Sequence, residues 1–82
     1  MELLKEEFVS CVTLFDIRLS ESEITVLTDC LSLILTHCSD EQINQETVCD
    51  SKEELSWYRD DLLGLIKAME HKEYLPEKYK NI

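Results

Sequence analysis

SESEITVLTDCLSLILTHC, residues 20–38, is the longest periodic apolar stretch of the chain, and its reading sets the fold expected for the rest. Ile24, Leu27, Leu31, Ile34 and Cys38 recur at three- and four-residue steps, which puts them on one side of an α-helix. Val26, Cys30 and Leu33 widen that side beyond a narrow seam. Ser20 and Glu23 make an S-x-x-E capping box, with Leu19 and Ile24 placed to close a hydrophobic staple. The spacing predicts a central helix around which the other elements pack. Its polar side, Ser22, Thr25, Asp29, Ser32 and Thr36, carries one charge. Small hydroxyl side chains there suit either a partner surface or partial cover by the rest of the fold.

On the N-terminal side, residues 2 to about 17 read as a first helix, with Leu4, Phe8, Cys11, Val12 and Phe15 as its apolar stripe. Glu2, Glu6 and Glu7 near its start and Arg18 near its end suit the helix dipole. A short turn into Ser20 makes these two helices antiparallel neighbours. On the C-terminal side, SDEQINQETVCD (residues 39–50) accommodates a turn or two of helix within a connection, capped by Ser39 with Gln42. Ser51 with Glu54 opens a third long helix, whose inner side is Leu55, Tyr58, Leu62, Leu65, Ile66 and Met69. Gly64 within it suggests close approach of a neighbouring backbone. Pro76 limits continuation, and Tyr74, Leu75 and Tyr79 are expected to fold back over the helix ends. One glycine and one proline leave little material for tight turns, which argues against an all-β fold. The expectation is an all-α fold over residues 1–82. It is a single-domain antiparallel bundle of three long helices, with room for a short helix between the last two. Phe8, Phe15, Leu27, Leu31, Ile34, Leu62 and Ile66 are expected to form its core.

The formal charge is −10, and it is unevenly placed. Residues 20–54 hold nine acids against Lys52 alone, whereas residues 55–82 balance five acids with five bases. A chain this acidic repels phosphate backbones, which argues against direct nucleic-acid binding, and a localised acidic surface steers basic partners. Acidity also keeps a small protein soluble, so a solvated edge is the competing reading. The candidate partner-binding residues are Glu21, Glu23, Asp29, Asp40, Glu41, Glu46 and Asp50, joined by Trp57 as an aromatic anchor. Cover of Trp57 by the C-terminal tail is the alternative.

Cys11, Cys30, Cys38 and Cys49 include no C-x-x-C pair, and Cys30 and Cys38 lie about two helical turns apart, so zinc is not expected. Cys11, Cys30 and Cys38 fall on apolar positions, as small buried hydrophobes do. No catalytic signature surrounds a cysteine or histidine, and no Gly-rich loop exists to cradle a phosphate. An enzyme is therefore not expected, nor a cofactor. The start MELLKEEF lacks a basic region before an apolar one, and no apolar run is long enough to span a bilayer, so a cytoplasmic protein without membrane contact is expected.

EEFVSCVTLF, SESEI, THCSDE and the Leu62–Lys72 stretch together resemble the colicin-type nuclease immunity proteins, small acidic helical bundles that neutralise a basic toxin nuclease. The resemblance implies a helical fold, a toxin-neutralising function and roles for Glu21 and Glu23. Residues 43–50, INQETVCD, lack the tyrosine-containing recognition segment of that family. The function expected is thus a binding module that inhibits or regulates a basic protein. The alternative is a helical regulatory or adaptor subunit acting through an apolar homodimeric or heteromeric interface.

Overall fold

The computed structural model describes residues 1–82. Two strands, β1 (Glu2–Val9) and β2 (Val12–Arg18), precede four helices, α1 (Glu21–His37), α2 (Asp40–Glu46), α3 (Lys52–Ala68) and α4 (Glu77–Lys80). The fold is therefore a mixture of an antiparallel β-hairpin with helices, and the all-α bundle of three long helices is overturned at its first element.

Residues 2–18 are rich in side chains that a strand accommodates better than a helix. Val9, Val12, Thr13 and Ile17 are β-branched, and Phe8 and Phe15 are aromatic. In β2 they alternate, with Thr13, Phe15 and Ile17 on one face and Val12, Leu14, Asp16 and Arg18 on the other. A short apolar run satisfies helical and strand spacing at once, so position alone does not separate them. The register pairs Val9 with Val12, Phe8 with Thr13, Glu6 with Phe15 and Leu3 with Ile17, and Leu4 forms a bulge between Leu3 and Lys5. The turn is two residues, Ser10 (φ 50°) and Cys11 (φ 65°). Positive φ at both is the type I′ arrangement that matches strand twist, normally announced by Asn-Gly or a similar pair. Here it is made without a glycine, which removes the usual signal.

The helices follow their caps. Ser20 Oγ accepts from the Glu23 amide at 3.2 Å while the Glu23 carboxylate accepts from the Ser20 amide at 3.1 Å. Ser39 and Gln42 make the same reciprocal pair at 3.2 and 2.8 Å. At α3 only half of the box forms: Ser51 Oγ accepts from the Glu54 amide, but the Glu54 carboxylate accepts from the Asp50 amide at 2.8 Å. The connection at residues 39–50 thus contains a true short helix, α2, anchored by Ile43.

α1 and α3 pack against each other, and the interior consists of two small clusters. Ile24, Ile66, Leu75 and Tyr79 form one, backed by Leu19, Leu62, Leu63 and Met69. Ile43, Cys49 and Leu55 form the other, backed by Leu31, Ile34, Leu35 and Cys38. The tail therefore folds back as expected through Leu75 and Tyr79, although Tyr74 stays in solvent.

The expected core is corrected in several places. Phe8 and Phe15 are exposed because they sit on the hairpin, and Leu27 is exposed on α1. Of the stripe expected on α1, Ile24, Leu31, Ile34 and Cys38 pack inward, but the inner face is shifted towards Thr25 and Thr28, which are buried, while Val26, Leu27 and Leu33 face out. The threonines tolerate burial because each closes its hydroxyl on its own helix, Thr28 onto the Ile24 carbonyl at 2.7 Å and Thr25 onto the Ser22 carbonyl at 3.0 Å. Tyr58 and Leu65 of α3 are also exposed. Cys11 and Cys30 are exposed rather than buried, and Cys49 is the buried cysteine. Gly64 faces open space, with nothing within 4 Å of where a Cβ would stand, so no backbone approaches it.

Candidate protein-docking surface

The candidate acids fall at the start of α1, at its middle and beyond its far end, along a helix that at 17 residues spans about 25 Å. Glu21 opens α1 and lies exposed beside an apolar groove. Glu23 is half-buried and engaged: it caps the helix and pairs with the Met1 ammonium at 2.5 Å. That ammonium, then the Ser20 amide, hold its carboxyl below the usual range.

Asp29, midway along α1, is also committed. Lys78 Nζ lies 2.7 Å from its Oδ1, and the Tyr79 hydroxyl donates to the same oxygen at 2.5 Å. Lys78 and Tyr79 together lower the Asp29 pKa, Lys78 contributing more. Burial, reinforced by Asp29, pushes the Tyr79 phenol up to about 12. This trio fastens the C-terminal tail to α1, so Asp29 is a structural acid. The polar side of α1 is accordingly covered by the fold at Thr25, Thr28 and Asp29. Nothing in the spacing of Asp29 and Tyr79, 50 residues apart, announces this pair.

The remaining acids gather at the opposite end, around α2 and the start of α3. Asp40, Glu41, Glu46, Asp50, Glu53 and Glu54 stand there with Lys52 as the sole base. Tight turns bring them together: α2 begins three residues after α1 ends, and α3 begins six residues after α2. Asp40 is partly structural, because its Oδ1 accepts from the Lys52 amide at 2.7 Å and so caps α3 from outside. Glu41 accepts from Gln45 Nε2 at 3.3 Å on the surface. No cationic side chain pairs with any of the six, in contrast to Glu7, Glu23, Asp29, Asp60, Glu73 and Glu77, each of which has a basic partner. Beside them Val48 is 98% exposed, and Trp57, on the second turn of α3, is 58% exposed. The tail packs against the other cluster and leaves Trp57 uncovered.

No group of three His, Cys, Asp or Glu side chains converges as a metal site would require. No helix is long and apolar enough to cross a membrane. Comparison with protein-family models, with curated proteins and with solved structures returned no match.

Proposed function

We propose that this chain is a binding protein, not a catalyst, and that its α2–α3 end docks a basic protein surface and thereby blocks or regulates it. The observation that carries this reading is the set of six carboxylates at that end without a cationic partner, bordered by the exposed Val48 and Trp57. Unneutralised like charges held together by a fold raise the local potential, which speeds encounter with a basic partner and disfavours acidic ones. An exposed tryptophan beside them supplies apolar contact that outlasts the encounter. A toxin nuclease is one concrete partner of this chemistry. That version now rests on charge, since the helical bundle implied by the resemblance is not the fold.

The test uses Glu41, Glu46 and Asp50, which are exposed and cap nothing through their side chains; Asp40 is unsuitable because of its hydrogen bond to Lys52. Immobilised wild-type protein and the E41K/E46K/D50K variant are compared for proteins captured from a lysate at low and high salt. A basic protein retained by the wild type, released by salt and not retained by the variant supports the reading. Identical capture by both proteins overturns it.

A further inference from the structure

We infer that the hairpin is the dimerisation element of this protein, and that a second copy of the chain pairs β2 against its own β2 to make a four-stranded antiparallel sheet. All 15 residues of the two strands are exposed in the single chain. They include Leu3, Leu4, Phe8, Val9, Val12, Leu14, Phe15 and Ile17, each at least 45% exposed. A two-stranded hairpin is marginal in water, and this one is not sandwiched by its own helices.

The size of the uncovered surface fits a second copy. A folded chain of 9.6 kDa is expected to expose about 5,100 Å². This one exposes 6327 Å², an excess of about 1,200 Å². The radius of gyration is 14.7 Å, against about 12 Å for 82 compactly folded residues. Strand pairing by itself buries only the two edges; the full excess, about 2,400 Å² over two copies and within the range of obligate homodimers, is taken up when each hairpin also lies on the other copy's helices.

The two edges of the hairpin differ in a way that selects β2. β1 carries Glu2, Glu6 and Glu7 and is broken by the Leu4 bulge, two devices that protect an edge from pairing. β2 is unbroken, has no proline, and carries one acid and one base. A two-fold axis at Phe15 sets Phe15 opposite itself, Leu14 opposite Asp16, Thr13 opposite Ile17 and Val12 opposite Arg18. No like charges then face each other across the new pair. The same alternation collects Leu3, Phe8, Phe15 and Ile17 of each copy on one face of the sheet. That face runs into an apolar groove of about 370 Å³ lined by Ile17, Leu19, Ile24, Leu65, Ile66 and Met69. An isologous contact of this kind closes on itself and leaves the protected β1 strands at the outer edges.

The test is mass in solution, by sedimentation equilibrium and native mass spectrometry, for the wild type, Phe15→Lys and Leu33→Lys. Leu33 is 62% exposed near the far end of α1 and serves as the control. The wild type is expected at twice the chain mass. Phe15→Lys places two lysines against each other on the axis and should raise the dimer dissociation constant about 100-fold or more, with helical circular dichroism retained. Leu33→Lys should leave the dimer unchanged. A wild type that stays at the single-chain mass at 100 μM overturns the inference, as does a dimer indifferent to Phe15→Lys. If Phe15→Lys also loses its helical signal, Leu14→Asp, which sets a carboxylate against Asp16 of the partner copy on both sides of the axis, is measured in its place against the same two outcomes.

Discussion

Replacing Ser10 and Cys11 by Asn and Gly should stabilise the hairpin, and the sign of the effect distinguishes it from a helix. Both residues hold positive φ, 50° and 65°. A non-glycine residue in that region costs about 1–2 kcal/mol, an Asn somewhat less and a Gly almost nothing. Against this, Gly makes the unfolded chain freer by about 0.5–1 kcal/mol. The net gain for the pair is about 1 kcal/mol, or roughly a fivefold shift in the opening equilibrium. Because the hairpin is not enclosed by the helices, its opening is expected to be local, and the melting of the helical body is a poor reporter. Amide hydrogen exchange of residues 3–17, at one protein concentration, is the appropriate assay. Exchange in the variant should slow about fivefold. If residues 2–18 were helical, Gly at position 11 would sit mid-helix, cost about 1 kcal/mol and accelerate exchange instead. Faster or unchanged exchange would refute the turn.

Three further outcomes follow from the helical body. Ile66 is completely buried in the cluster that joins α1, α3 and the tail, so Ile66→Ala should cost about 2–5 kcal/mol and lower the melting temperature by ten degrees or more. Gly64 is helical and faces open space, so Gly64→Ala should raise stability by up to about 1 kcal/mol in chemical denaturation. The Tyr79–Asp29 bond gives a pH window. Asp29 has a lowered folded pKa, so its contribution is present above the ordinary value of 3.8 and fades as pH falls through the folded value. Tyr79 has a raised one, so its contribution is full below pH 10 and is lost as pH rises from 10 towards about 12. Thermal melts across pH should show both limbs, and Tyr79→Phe should flatten the alkaline one.

What was legible in the chain were the helix starts. Ser20 with Glu23, Ser39 with Gln42 and Ser51 each cap where an S-x-x-E or S-x-x-Q pattern places them, because a cap is a local bargain between a hydroxyl and amides two or three residues on. The return of Leu75 and Tyr79 was legible too, as apolar residues beyond a helix need cover. Residues 2–18 were not. Their apolar positions fit a helical stripe as well as a strand, and the decisive turn at Ser10–Cys11 has neither Gly nor Asn to mark it. The stripe of α1 was legible at Ile24, Leu31, Ile34 and Cys38, and only the shift of its inner face was hidden, for a different reason. Hydropathy counts Thr25 and Thr28 as polar, but their hydroxyls are satisfied within the helix and so can go inside, leaving Val26, Leu27 and Leu33 out.

The candidate site was legible as a charge excess and not as a surface. Composition locates nine acids between residues 20 and 54, but only the fold separates those already engaged from those left free. Glu23 is used by a cap, Asp29 by the tail, and Asp40 and Glu54 by backbone amides at the start of α3. Glu41, Glu46, Asp50 and Glu53 accept from no backbone amide and pair with no cation, and Trp57 beside them is uncovered.

The hairpin at residues 2–18 sets this fold apart from a helical bundle, and pairing with a second copy depends on it. Cross-strand nuclear Overhauser contacts in isotopically labelled protein test it most directly. The hairpin predicts contacts joining Phe8 with Thr13, Glu6 with Phe15 and Leu3 with Ile17, following the observed register. Sequential amide–amide contacts with medium-range i to i+3 contacts running unbroken through Ser10 and Cys11 would contradict it.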